Sequence, residues 1–99
     1  MTASEATSSA AGLFRRSSDV DETRVGDRVV LYHVQDGGAF VLNPTASLLW
    51  GRLATPCAIG DLAAQLRRAF PTLPEQRAIA DAQTCMTELQ GSGLVVAGA

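Results

Sequence analysis

The sequence predicts a small α+β domain in which three N-terminal antiparallel strands are followed by three helices and a short C-terminal strand. Three observations carry that reading. The apolar pattern has period two up to Leu42, it changes to a period near 3.6 from Asn43 onward, and a final apolar triplet follows a pair of glycines. At 99 residues the chain has room for one domain and one modest core.

Leu13-Phe14-Arg15-Arg16 reads as a weak first strand. Arg28 to Val34 is a strong one, rich in β-branched and aromatic residues. Asp36-Gly37-Gly38 supplies residues that tolerate a positive φ, and Ala39-Phe40-Val41-Leu42 resumes the strand, which together make a hairpin. Asn43 then suits an N-cap and Pro44 the first helical position, where a missing N–H costs nothing. Ala46, Leu49, Trp50 and Leu53 share one face of this first helix, with Trp50 as core anchor, and Thr55-Pro56 ends it. Ile59, Leu62, Ala63, Leu66 and Phe70 form a second amphipathic helix whose expected cap, Ala58, is a poor one. Thr72-Leu73-Pro74-Glu75 fits a capping box for a third helix, with its stripe at Ile79, Ala82, Met86 and Leu89. Gly91 and Gly93 close it before Leu94-Val95-Val96. The order is that of a small winged-helix-like domain. Residues 1–11, small and polar, are expected to form a disordered tail, with the domain over residues 12–97.

Composition excludes several functions. The formal charge is -2, and all eight basic residues are Arg, so no global positive field attracts nucleic acid or acidic lipid. No apolar run approaches the roughly 20 residues that span a bilayer. With no secretory signal pattern at the N-terminus, a cytoplasmic location is expected. Cys57 and Cys85 match no zinc or redox spacing and read as small buried hydrophobes. The lone His33 has no second histidine to share a metal, and no glycine run cradles a phosphate. No cofactor, no metal and no catalytic residues are expected. A winged-helix DNA-binding reading is disfavoured, because the third helix sets Arg77 against Glu75, Asp81 and Glu88 where phosphates would need cations.

The run Asp36 to Trp50, with its strand ending Leu42-Asn43 and a small residue near the helix start before the tryptophan, resembles the PqqD-like family. So do Ile59-x-Asp61-Leu62 and the Leu89-x-x-x-Gly93-Leu94-Val95 ending, so that the resemblance spans Leu13 to Val96. It departs at Ala58, where members often carry Ser or Thr, and in the long Ala/Ser tail. The resemblance implies a RiPP recognition element: a non-catalytic peptide chaperone for ribosomally synthesised, post-translationally modified peptides. Such a protein holds the leader segment of a precursor and presents it to a modifying enzyme, here a radical-SAM maturase, a leader peptidase or a cyclase. It also implies that the leader adds as a strand along Ala39, Phe40, Val41 and Leu42, in a cleft against the helix of about Glu75 to Gln90. On that helix Ala78, Ala82 and Cys85 are small and share one strip, which fits either an open groove for an apolar leader anchor or close helix packing. Arg77 and Asp81 would form a polar rim. A monomer is expected. The alternatives are DNA binding and an accessory subunit that stabilises a larger enzyme without holding peptide.

Overall fold

The computed structural model describes residues 12–98, so the expected tail over residues 1–11 lies outside the described residues. The chain runs β1 (Leu13–Arg16), β2 (Val20–Val25), β3 (Arg28–His33), β4 (Ala39–Val41), α1 (Pro44–Arg52), β5 (Cys57–Ala58), α2 (Ile59–Ala69), α3 (Glu75–Gly91) and β6 (Val95–Ala97). The α+β order expected from the sequence is observed. No described helix is long and apolar enough to cross a membrane.

The strands divide between two antiparallel sheets, β5-β1-β6 and β2-β3-β4. This corrects the expected grouping, because β1 does not join the hairpin but pairs with β5 on one side and β6 on the other. The hairpin's third strand is β2, whose six residues pair from Val20↔His33 to Val25↔Arg28. Five of the six are exposed, so β2 buries little and is held mainly by its backbone ladder. A two-residue Gly26-Asp27 turn joins it to β3, and Gly26 takes φ 67°, a conformation that glycine adopts without steric cost.

The capping logic holds for α1 and fails for α3. The Asn43 side chain accepts from the Ala46 amide at 2.7 Å, and Pro44 opens the helix. Helix α2 has Ala58 as its N-cap, which offers no side-chain acceptor, although the Asp61 carboxylate accepts from the Ala58 amide at 3.2 Å. Thr72 does not cap α3, whose N-cap is Pro74. A proline pushes the preceding residue out of the helical region, so Leu73 cannot be a first helical residue and the helix begins after the proline.

The core lies between the helices and the inner faces of both sheets. Val29 and Leu31 of β3, Leu49, Trp50 and Leu53 of the α1 region, Leu62 and Leu66 of α2, and Met86 and Leu89 of α3 are all buried there. Trp50 also ties the two sheets together. Its indole N–H donates to Glu22 Oε1 of β2 at 2.8 Å, and Arg16 of β1 lies over its ring, 4.5 Å from the centroid. The same guanidinium donates to the Trp50 carbonyl and lies 3.6 Å from the Glu22 carboxylate. The expected core role of Trp50 is therefore observed, with a polar tether added.

Candidate peptide-binding edge and cleft

Strand β4 pairs with β3 on one side, and no other described strand borders it. The register sets Val30 opposite Val41, Leu31 opposite Phe40 and Tyr32 opposite Ala39. At the two ends of the ladder, His33 donates to the Gly38 carbonyl and Leu42 donates to the Val29 carbonyl, both at 2.9 Å. In an antiparallel pair, hydrogen-bonded and non-hydrogen-bonded residue pairs alternate. With 33–38 and 29–42 bonded, 31–40 is bonded as well, whereas 32–39 and 30–41 are not. The N–H and C=O groups of Ala39 and Val41 therefore point away from β3, toward the open edge.

Side chains alternate in the other direction. Phe40 and Leu42 face the core, while Ala39 and Val41 lie on the solvent face, with Val41 59% exposed. An edge that combines unpaired backbone groups with an exposed valine is a template for another extended chain. The expected strand residues Ala39, Phe40, Val41 and Leu42 thus divide by role, two offering backbone and two anchoring the strand.

A concave surface of about 210 Å³ lies where β4 passes into α1, between that junction and α3. Asn43, Thr45 and Ala46 line one wall, and Asp81, Thr84, Cys85 and Glu88 line the other. The α3 residues stand at i, i+3, i+4 and i+7, which is one helical face. Of the rim residues expected from the sequence, Asp81 lies on this wall. Arg77 lies one turn away from Asp81 and donates to it at 3.3 Å.

The expected groove along Ala78, Ala82 and Cys85 takes a different form. Ala78 and Ala82 are both 0% exposed, and they belong to the buried stripe of α3 together with Met86 and Leu89. Their small side chains let the core close on α3, and no open strip is present at either position. Cys85 stands between the two surfaces: it is buried, yet it lines the cleft. Burial raises its thiol pKa to about 11, with the neighbouring Glu88 carboxylate adding to the shift. Thr84 and Glu88, which complete the wall, were not among the peptide-binding residues expected from the sequence, where Glu88 counted only as a carboxylate disfavouring DNA. The i, i+3, i+4, i+7 spacing from Asp81 was the available signal for them.

The family model described as coenzyme PQQ synthesis protein D (PqqD) matches residues 28–95. No curated protein matches the chain. Among solved structures, the chain is similar to "TbiB1 in Complex with the TbiA(beta) Leader Peptide", at a TM-score of 0.76 and 22% identity, covering 86% of this chain and 98% of that one. It is also similar to "Lasso peptide synthetase B1 complexed with the leader peptide", at a TM-score of 0.71 and 24% identity, covering 84% and 96%. These two likenesses establish a shared fold. The family match runs from the first residue of β3 to the first of β6 and takes in both β4 and α3, so the chain belongs to the PqqD family.

Proposed function

We propose that this protein binds the leader segment of a ribosomally made precursor peptide by strand addition to β4, and presents the rest of the precursor to a modifying enzyme without performing chemistry itself. The observation that carries this reading is the outward set of Ala39 and Val41 backbone groups on an edge whose chain continues, at Asn43, into the wall of the α3 cleft. An extended peptide satisfies those groups, and its alternate side chains enter the cleft beside Thr84, Cys85 and Glu88. Family membership supports the reading, and so do two proteins of the same fold whose structures were solved with leader peptides. Arg77 and Asp81 form the polar rim, while Ala78 and Ala82 act from behind by letting α3 seat closely. A DNA-binding reading is weaker, because α3 presents Asp81 and Glu88 to the cleft.

Val41→Pro is the sharpest test. The Val41 amide takes no part in the β3–β4 ladder, and proline is tolerated on an edge strand, so the variant should fold with an unchanged unfolding midpoint. It removes one donor from the open edge and puts a ring in its place. Affinity for the leader of the chain's own precursor, measured by calorimetry, should fall about tenfold or more. A folded variant with unchanged affinity would refute strand addition at β4.

A further inference from the structure

Helix α1 separates two concave surfaces of opposite charge. Thr45 and Ala46 face the leader cleft, with its Asp81 and Glu88. On the other flank, Pro44, Ser47, Leu48 and Gly51 (i, i+3, i+4 and i+7) form the wall of a trough of about 550 Å³. Arg24 lines it from β2, Arg52 from the end of α1 and Gln65 from α2. A second hollow of about 190 Å³ adjoins it, sharing Asp27, Pro44 and Ser47 and adding Arg28 and the core-facing Leu42 at the end of the β4 segment. Three of the eight arginines of an acidic chain thus border the trough and its adjoining hollow, two on the trough and one on the hollow, against the single carboxylate of Asp27.

Two of these three cations, Arg28 and Arg52, have no carboxylate within ion-pair distance among the described residues. Arg52 is steadied by Thr55 Oγ1 at 3.4 Å and Cys57 Sγ at 3.1 Å, which fixes its position and leaves its charge uncompensated. Arg24 lies 3.7 Å from Glu22, a carboxylate already engaged by Trp50 and Arg16. Ser47 and Gln65 add neutral hydrogen-bonding groups.

We propose that this trough docks an acidic peptide segment carried by the enzyme that modifies the precursor, while the leader occupies β4 on the opposite flank of α1. The inference rests on the leader-binding reading above. A protein that hands a bound leader to an enzyme needs a second surface that the leader leaves free, and α1 stands as a wall between the two. The charge pattern fits spaced carboxylates with intervening peptide N–H groups, which Asp27 can accept. A continuous phosphate backbone would instead be repelled by Asp27, which lines both the trough and its adjoining hollow.

Hexaglutamate, with hexaglutamine as control, is the probe for the trough itself. In a nitrogen-15 NMR titration at low salt, hexaglutamate should shift the amides of Arg28, Ser47, Gly51 and Arg52, and the effect should fade as salt is added. The double variant R24Q/R28Q should weaken this binding about fivefold or more, since each exposed charge pair contributes modestly. Val41→Pro should leave the titration unchanged, so failure of the trough and failure of the leader edge are read separately. The modifying enzyme, produced together with the chain, should co-purify with wild type and be lost from R24Q/R28Q, while leader affinity of the double variant stays at the wild-type value. The proposal is overturned if hexaglutamine shifts the same amides, if a duplex DNA of equal charge binds more tightly, or if the double variant retains the enzyme. Weaker leader binding by the double variant would assign the trough to the precursor itself and overturn it equally.

Discussion

Helix α3 has two flanks built on different rules. One carries Ala78, Ala82, Met86 and Leu89, is buried along its length and supplies stability. The other carries Asp81, Thr84 and Glu88, borders an open hollow and contributes little to holding the fold. Only a rotation of about one residue along the helix separates them, because successive side chains are offset by roughly 100°. The same contrast recurs on α1, where Trp50 is locked inward while Ser47 and Gly51 border the arginine trough. The candidate binding surfaces in so small a domain are therefore the faces left over when a single core has taken what it needs. Substitutions on the two kinds of face should then differ in what they damage.

The largest expected effect lies on the closed side. Trp50→Ala removes a buried indole together with its tether to Glu22 and the platform under Arg16. It should lower the unfolding free energy by about 3–5 kcal/mol, the range for large aromatic deletions in packed cores. Urea denaturation measures it. A loss under about 1 kcal/mol would mean that the two sheets do not depend on this residue.

A matched pair on α3 sharpens the contrast. Ala82→Leu forces a larger side chain into a position with no free surface, at a cost of about 1–3 kcal/mol. Thr84→Leu, two residues on and exposed, should change stability by no more than about 0.5 kcal/mol. Peptide affinity should respond in the opposite order, with Thr84→Leu altering it directly. Equal stability effects at the two positions would erase the distinction between the flanks.

This pair also shows where sequence reading stops. A strip of small residues at helical spacing has the same pattern whether it lines a groove or permits close packing, and only the position of the surrounding core separates the two. The helices were legible because their apolar faces repeat over two or more turns, and α1 also has Asn43 and Pro44 at its start. Strand β2 was not, since Val-Asp-Glu-Thr-Arg-Val is mostly polar and is stabilised by backbone pairing, which leaves no composition signal. Its trace was the Gly26-Asp27 turn placed between two valine-bearing segments. Strand β5 is two residues long, too short for any periodicity. The edge at Ala39 to Leu42 was legible as a strand, but which of its amides face outward follows from the ladder phase set at Leu42 and His33.

Cys85 belongs to both flanks, which gives the comparison a titration. Its thiol pKa is raised to about 11 in the fold, from an ordinary value near 9. Between those values the unfolded chain loses the proton while the folded chain keeps it. The folded state then binds more protons, so stability falls as pH rises. Below pH 9 the effect is absent, and by pH 11 it amounts to about 1–2 kcal/mol, allowing for partial contact with the cleft. Cys85→Ala should remove this alkaline decline while costing little at neutral pH. A decline of unchanged size in Cys85→Ala would place its origin elsewhere in the core.

The smallest expected effect is at the rim. Arg77 and Asp81 form an i, i+4 pair at 3.3 Å, and the arginine side chain is 70% exposed. Such pairs contribute only a few tenths of a kcal/mol, and added salt screens them further. Asp81→Asn should therefore leave the unfolding midpoint within experimental error, although it removes one of the two carboxylates that line the cleft. If the open flank acts on peptides through its charge, leader association should change in a salt-dependent way, with the rate of association more affected than the rate of release. Stopped-flow measurements at two ionic strengths separate these rates. An association rate insensitive to both the substitution and salt would leave the strand edge, with its Ala39 and Val41 backbone groups, as the source of recognition, and α3 as a wall that shapes the cleft without reading the peptide's charge.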